Sequence, residues 1–138
     1  MDFGRIALAA LGGLVAYFAL GFLAFAALPA MKAEFAKYPA VFRPPEAMKS
    51  LMPFGMGAIL VEMAVLAVLY AMTYRGASGL AAGAAFGALI GVFAVCSFVV
   101  HNYVNLNIGL TLTIQQGAAY FIQWLVTGIV VGLIYRPI

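Results

Sequence analysis

The sequence predicts an all-α, polytopic membrane protein: a single transmembrane domain, residues 1–138, built as a four-helix bundle. Three observations carry this. Hydrophobic residues make up 67% of the chain and charged residues 8%, against about 25% charged in soluble domains. Four apolar stretches each reach the length of about 20 residues that a hydrocarbon core of about 30 Å demands of a helix. Every Asp, Glu, Lys and Arg except Glu62 lies at or beyond the ends of those stretches. A soluble fold of this length could not cover so much apolar surface with so few charges.

The first span runs from about Ile6 to Leu28, between Arg5 and Pro29. Its apolar run is about twice the length of a signal-peptide core, so it reads as a retained helix despite Ala24-Phe25-Ala26. A polar connection follows, Pro29 to Ser50, where Lys32, Lys37, Arg43 and Lys49 mix with Phe35, Tyr38 and Phe42. Such segments tend to rest among lipid headgroups. The second span covers about Leu51 to Met72. Pro44-Pro45-Glu46 predicts an earlier helix start, since proline suits the first turn and a carboxylate there complements the helix dipole. Pro53 predicts a kink. The short turn Thr73 to Ser78 makes spans two and three antiparallel neighbours.

The third span covers about Gly79 to Val100, and the fourth about Gly117 to Ile134. Between them, apolar and polar residues alternate from Leu106 to Ile114, a strand-like signal. A lone strand has no pairing partner in lipid. An early start of the last helix near Ile108, capped by Asn107, is the expectation. Four crossings place both termini on one side. The charge on the first connection slightly exceeds that of Arg5, Arg75 and Arg136, so the positive-inside rule puts this connection in the cytoplasm.

The clearest packing signal is the recurrence of Gly79, Gly83, Gly87 and Gly91 every four residues, which stacks them on one helix face. Gly128 and Gly132 repeat the spacing in span four. Small residues at such spacing let membrane helices approach closely. The partner helix could belong to the same chain, to the second copy of a homodimer or to another membrane protein.

Glu62 is the sharpest functional lead. It lies near the middle of span two, where a charge costs at least about 2.5–3.5 kcal/mol. No Lys or Arg lies inside any span. Its carboxyl must therefore take a proton, reach a polar cavity or bind a cation. Counting along the helices sets Tyr17, Glu62 and Gly91 at one level, about 16 Å deep. Gln116, Tyr120, Gln123 and Thr127 form a polar stripe at helical spacing. Polar groups in lipid face the bundle interior. An interior ligand-binding cluster of Glu62, Tyr17, Tyr120, Gln123 and Thr127 is the expectation.

Other polar residues point to less. Cys96 is the single cysteine, so no intrachain disulfide forms. His101 is the single histidine, so neither a metal site nor a cofactor such as haem is expected. Trp124 reads as a packing or lipid-facing residue, and Tyr70, Tyr74, Tyr103 and Tyr135 as an aromatic belt. Ser97 and His101 share a helix face without an acidic third member, so no enzymatic activity is predicted. No basic stripe suggests nucleic acid, which leaves membrane lipid as the expected partner. The chain has no convincing internal repeat, which argues against an inverted-repeat transporter.

Phe98-Val99-Val100-His101-Asn102-Tyr103, Gly117-Ala118-Ala119-Tyr120 and the pair Gly128 and Gly132 give the layout a likeness to known sequences. It resembles a bacterial family of small four-helix membrane proteins, one of the domain-of-unknown-function families. That resemblance implies the fold and a bacterial inner membrane, and no activity. By general plan the chain is also similar to small multidrug-resistance exporters, whose glutamate lies in the first helix rather than the second. The features together favour a small-molecule-binding or proton-coupled, transporter-like bundle centred on Glu62. The alternative is a non-catalytic structural or regulatory membrane module.

Overall fold

The computed structural model describes residues 2–76 and 79–136. They form an all-helical bundle with no strand among them. Ala77 and Ser78 of the expected turn, and Met1, Pro137 and Ile138 at the expected termini, lie outside the described residues. Four helical stretches are long and apolar enough to cross a membrane: Phe3–Ala27, Pro45–Thr73, Gly79–Asn105 and Leu110–Ile134.

Helix α1 (Phe3–Gly21) starts at Asp2, whose carboxylate accepts the Arg5 backbone N–H at 3.0 Å. This satisfies one of the donors a helix start leaves open. The helix continues as a π-helical turn, Phe22–Ala27, and breaks at Leu28. Pro29 then opens the short helix α2 (Pro29–Ala36). At its end Lys37 donates to the Glu34 carboxylate, which holds the Lys37 ammonium above its usual range. Helix α3 (Pro45–Thr73) begins where the proline pair and Glu46 place it and runs unbroken through Pro53. Helix α4 (Gly79–Ala94) passes through a second π-helical turn, Val95–Val100, into α5 (His101–Asn105). Helix α6 spans Leu110–Ile134.

The last helix starts early as expected, at Leu110, two residues from Ile108, but Asn107 does not cap it. Its first acceptor is the Gly109 carbonyl, which takes both the N–H and the hydroxyl of Thr113. Gly109 itself is extended, and its N–H donates to the Tyr38 hydroxyl at 2.9 Å. Ile108 is drawn instead into a cluster with Met31 and Leu112, flanked by Phe35, Tyr38 and Phe42. The connection after span one thus caps the link into α6. Tyr38→Phe removes that one acceptor and should cost about 1 kcal/mol, read as a lower midpoint in thermal unfolding of the purified protein. A midpoint unchanged within error would show that the cap does not depend on this bond.

The core is built around α6. Helix α4 packs along it over the longest interface, α1 packs on its other side, and α3 packs mainly on α1. The glycine face of α4 is the reason for the first contact. Gly79, Gly83, Gly87 and Gly91 are all buried, and Gly79 and Gly83 meet the backbone at Gly132 and Gly128 of the same chain. The stripe therefore joins α4 to α6 within the bundle.

Spans two and three are not packed neighbours along their length. They meet near the turn, where the Tyr70 and Phe86 rings lie 5.2 Å apart, and α3 otherwise rests on α1. At this end Tyr70 and Tyr135, expected in an interfacial belt, are buried together instead, their rings 6.1 Å apart. Helices α1 and α6 run antiparallel, since Gly12, Gly13 and Gly21 face Ile134, Val131 and Gln123 in turn. Away from the turn, α3 from Met48 to Ala58 is exposed on every side.

Candidate functional site

Because α3 and α4 meet only near their turn, a hollow of about 540 Å³ lies between them. Glu62, Val65, Leu66 and Leu69 of α3 form one wall, and Ile90, Phe93, Ala94 and the π-turn residues Ser97 and Phe98 the other. Tyr17 of α1 and Tyr120 and Trp124 of α6 form its floor. The hollow opens sideways, because Val65, Leu69 and Phe93 on its walls are exposed.

Glu62 does not point into a closed bundle interior. It is exposed on the groove wall, because the helix that would have covered it stands apart. None of the described ion pairs includes it, and no Lys or Arg lines the hollow. Tyr17 and Tyr120 share that hollow with it. Of the expected cluster, then, Glu62, Tyr17 and Tyr120 come together.

Gln123 meets Tyr17 and Tyr120 in a smaller adjoining hollow of about 220 Å³ rather than in the Glu62 groove, and Thr127 lies elsewhere. Thr127 is fully buried in the core below Gly13 and lines none of the described hollows. Helical spacing put it on the same stripe, but the residue sits one turn further along α6 than Gln123. Gln123 turns away toward α1 and donates its amide N–H to the Tyr17 carbonyl at 2.7 Å. Gly21 makes room for this, since a Cβ there would lie 2.8 Å from the Gln123 amide nitrogen. Gln116 is buried as well and lines none of these hollows.

The second π turn lines the Glu62 groove through Ser97 and Phe98, the first lines the neighbouring hollows, and near each a side chain donates to a backbone carbonyl. Gln123 donates to the Tyr17 carbonyl shortly before Phe22–Ala27. The Ser97 hydroxyl donates at 2.7 Å to the Phe93 carbonyl, beside Val95–Val100. Intrusion into the ladder of a helix is a recognised cause of such bulges, which cluster at functional sites. Tyr120 sits between the two turns, its ring 5.1 Å from Phe25 and 5.4 Å from Phe98. The Ser97 hydroxyl donates to backbone, and His101 is exposed.

Sequence reasoning missed two features here, the groove aromatics Phe93 and Phe98 and the π turns. Trp124 takes the packing alternative, 4% exposed and stacked 4.9 Å from Tyr17, and it also lines the groove. Phe93 and Phe98 belong to the groove, although their spacing marked them only as apolar helix residues. The π turns left one trace, a polar Ser97 within an apolar helix. No group of His, Cys, Asp and Glu suited to a metal ion occurs among the described residues. No family model, curated protein or solved structure matches the chain.

Proposed function

We propose that this chain is a non-enzymatic protein of the bacterial inner membrane that binds a lipophilic organic cation in the Glu62 groove, entering from the side, in the manner of a transporter. The observation that carries this reading is the composition of the groove wall: one carboxylate, no cationic side chain, and the rings of Tyr17, Phe93, Phe98, Tyr120 and Trp124. A carboxylate in apolar surroundings has to be neutralised by a proton or a cation. Aromatic faces add about 0.5–2 kcal/mol of attraction for a cation placed over them. An apolar cation would satisfy both walls at once and would arrive through lipid.

Trp124 is the only tryptophan, so its fluorescence reports directly on occupancy. With the protein in lipid nanodiscs and empty nanodiscs as the blank, tetraphenylphosphonium should quench it saturably. The similarly shaped anion tetraphenylborate should not compete. Equal responses to the two ions would refute a carboxylate-centred site.

A second reading is a non-catalytic structural or regulatory module that binds another membrane protein or a second copy of itself. It rests on the first half of α3, exposed on every side, where nothing approaches within 4 Å of a Cβ at Gly55 or Gly57. Crosslinking through a cysteine placed at Gly55 distinguishes it. Efficient crosslinking together with no cation binding would favour the module.

A further inference from the structure

A second hollow, of about 510 Å³, is lined in part by Gln123 and shares no lining residue with the Glu62 groove. Leu20, Leu23 and Ala24 form one wall, Ala119 and Ile122 the other, and Met31 of α2 closes the end. Its size is within the roughly 300–1,000 Å³ of small-molecule sites. Leu23, Leu28 and Ile122 at its edge are exposed, so it too opens sideways.

Gln115 and Gln123 are the two polar residues among those lining this otherwise apolar space. Gln123 is only 2% exposed. Donation of its amide N–H to the Tyr17 carbonyl fixes which way the amide lies, so the oxygen is the atom left over. That oxygen is buried and accepts no hydrogen bond among the described residues, and the same holds for the Gln115 oxygen. Buried acceptors are almost always satisfied, and an exception calls for an explanation. No ionisable side chain lines the hollow. A charged headgroup would therefore find no counter-ion there, whereas a neutral O–H or N–H would find an acceptor.

We propose that this hollow is a separate binding site for an uncharged, single-chain lipid whose headgroup donates a hydrogen bond, through a hydroxyl or an amide N–H, to the Gln123 side-chain oxygen. The chain lies against Leu20, Leu23 and Ile122. The site is independent of Glu62 and of the cation reading. It uses a different face of α1 and α6, and Gln123 does not line the Glu62 groove.

Two isomeric probes, 1-dodecanol and 1-methoxyundecane, isolate the donor, because the ether accepts but cannot donate. At equal mole fraction in nanodiscs, dodecanol should raise the unfolding midpoint of the full chain above the ether by at least about 2 °C. Gln123→Met should erase that difference. Gln123→Glu should keep it, since a protonated carboxyl can donate to the Tyr17 carbonyl and still present an acceptor. Glu62→Gln should leave the difference intact. Should Gln123→Met fail to fold, infrared spectra of protein labelled with ¹³C at the glutamine side-chain carbonyl provide the test. Dodecanol should then shift that band down and the ether should not. Equal effects of the two probes, a preference that survives Gln123→Met, or a preference lost in Glu62→Gln would each overturn the proposal.

Discussion

Gly87→Leu should prevent the bundle from assembling. A Cβ at Gly87 would lie 2.6 Å from the Trp124 carbonyl oxygen and 2.7 Å from that of Leu125. Both are helix backbone and cannot rotate aside. The remaining atoms of a leucine would have to push α4 off α6, the longest interface in the protein. Overpacking a well-packed core typically costs 1–3 kcal/mol through side-chain adjustment, so a clash against rigid backbone should cost at least about 3 kcal/mol. The measurement is the fraction folded against added denaturing detergent, together with the monodispersity of the purified protein. Gly91→Leu should be milder, because the Phe121 ring at 3.0 Å can turn and the nearest backbone atom, the Phe121 carbonyl oxygen, stands further off at 3.2 Å. Gly55→Leu provides the contrast. Nothing approaches that position, so its effect should stay within about 0.5 kcal/mol. If Gly87→Leu were as stable as Gly55→Leu, the packing of α4 on α6 described above would be wrong.

The second large effect is expected at Glu62. Replacing it with Gln preserves shape and hydrogen bonding and removes the titration. The variant should fold normally, since Glu62 is exposed on the groove wall and makes none of the described ion pairs. Its affinity for tetraphenylphosphonium should fall about 30-fold, equivalent to roughly 2 kcal/mol, the low end for breaking a close charge pair because the groove is open at its side. The pH dependence should disappear with it. In the natural protein a proton and the cation compete for one carboxylate, so cation affinity rises with pH until the carboxyl is fully ionised and then levels off. The Gln variant should be flat throughout. Thr127→Val, in the core away from the groove, should leave the affinity unchanged. Wild-type affinity and pH slope persisting in Glu62→Gln would remove the carboxylate from the site.

Much of this protein follows from its sequence alone, because the bilayer leaves few choices. A backbone in hydrocarbon must satisfy its own hydrogen bonds, so long apolar runs become helices. Their number and order, the start of α3 at Pro45 with Glu46 in its first turn, and the buried glycine face of α4 are each local consequences of residue type and spacing. Glu62 stands out for the same reason, since a charge at mid-span is costly wherever its helix packs. What spacing could not supply is which helices touch. The short turn between α3 and α4 suggested close neighbours, but the glycine face binds α4 to α6, while α3 rests on α1. Only that choice of partners opens the groove, exposes Glu62 on its wall, buries Trp124 in its floor and leaves Thr127 in the core. The reach of Gln123 to the Tyr17 carbonyl is likewise tertiary, whereas Ser97 bonds the Phe93 carbonyl within its own helix. For Gln123 the carbonyl lies 106 residues away. Periodicity assigns a side chain to a face of its own helix, and packing between helices decides whether that face meets backbone, a cavity or lipid.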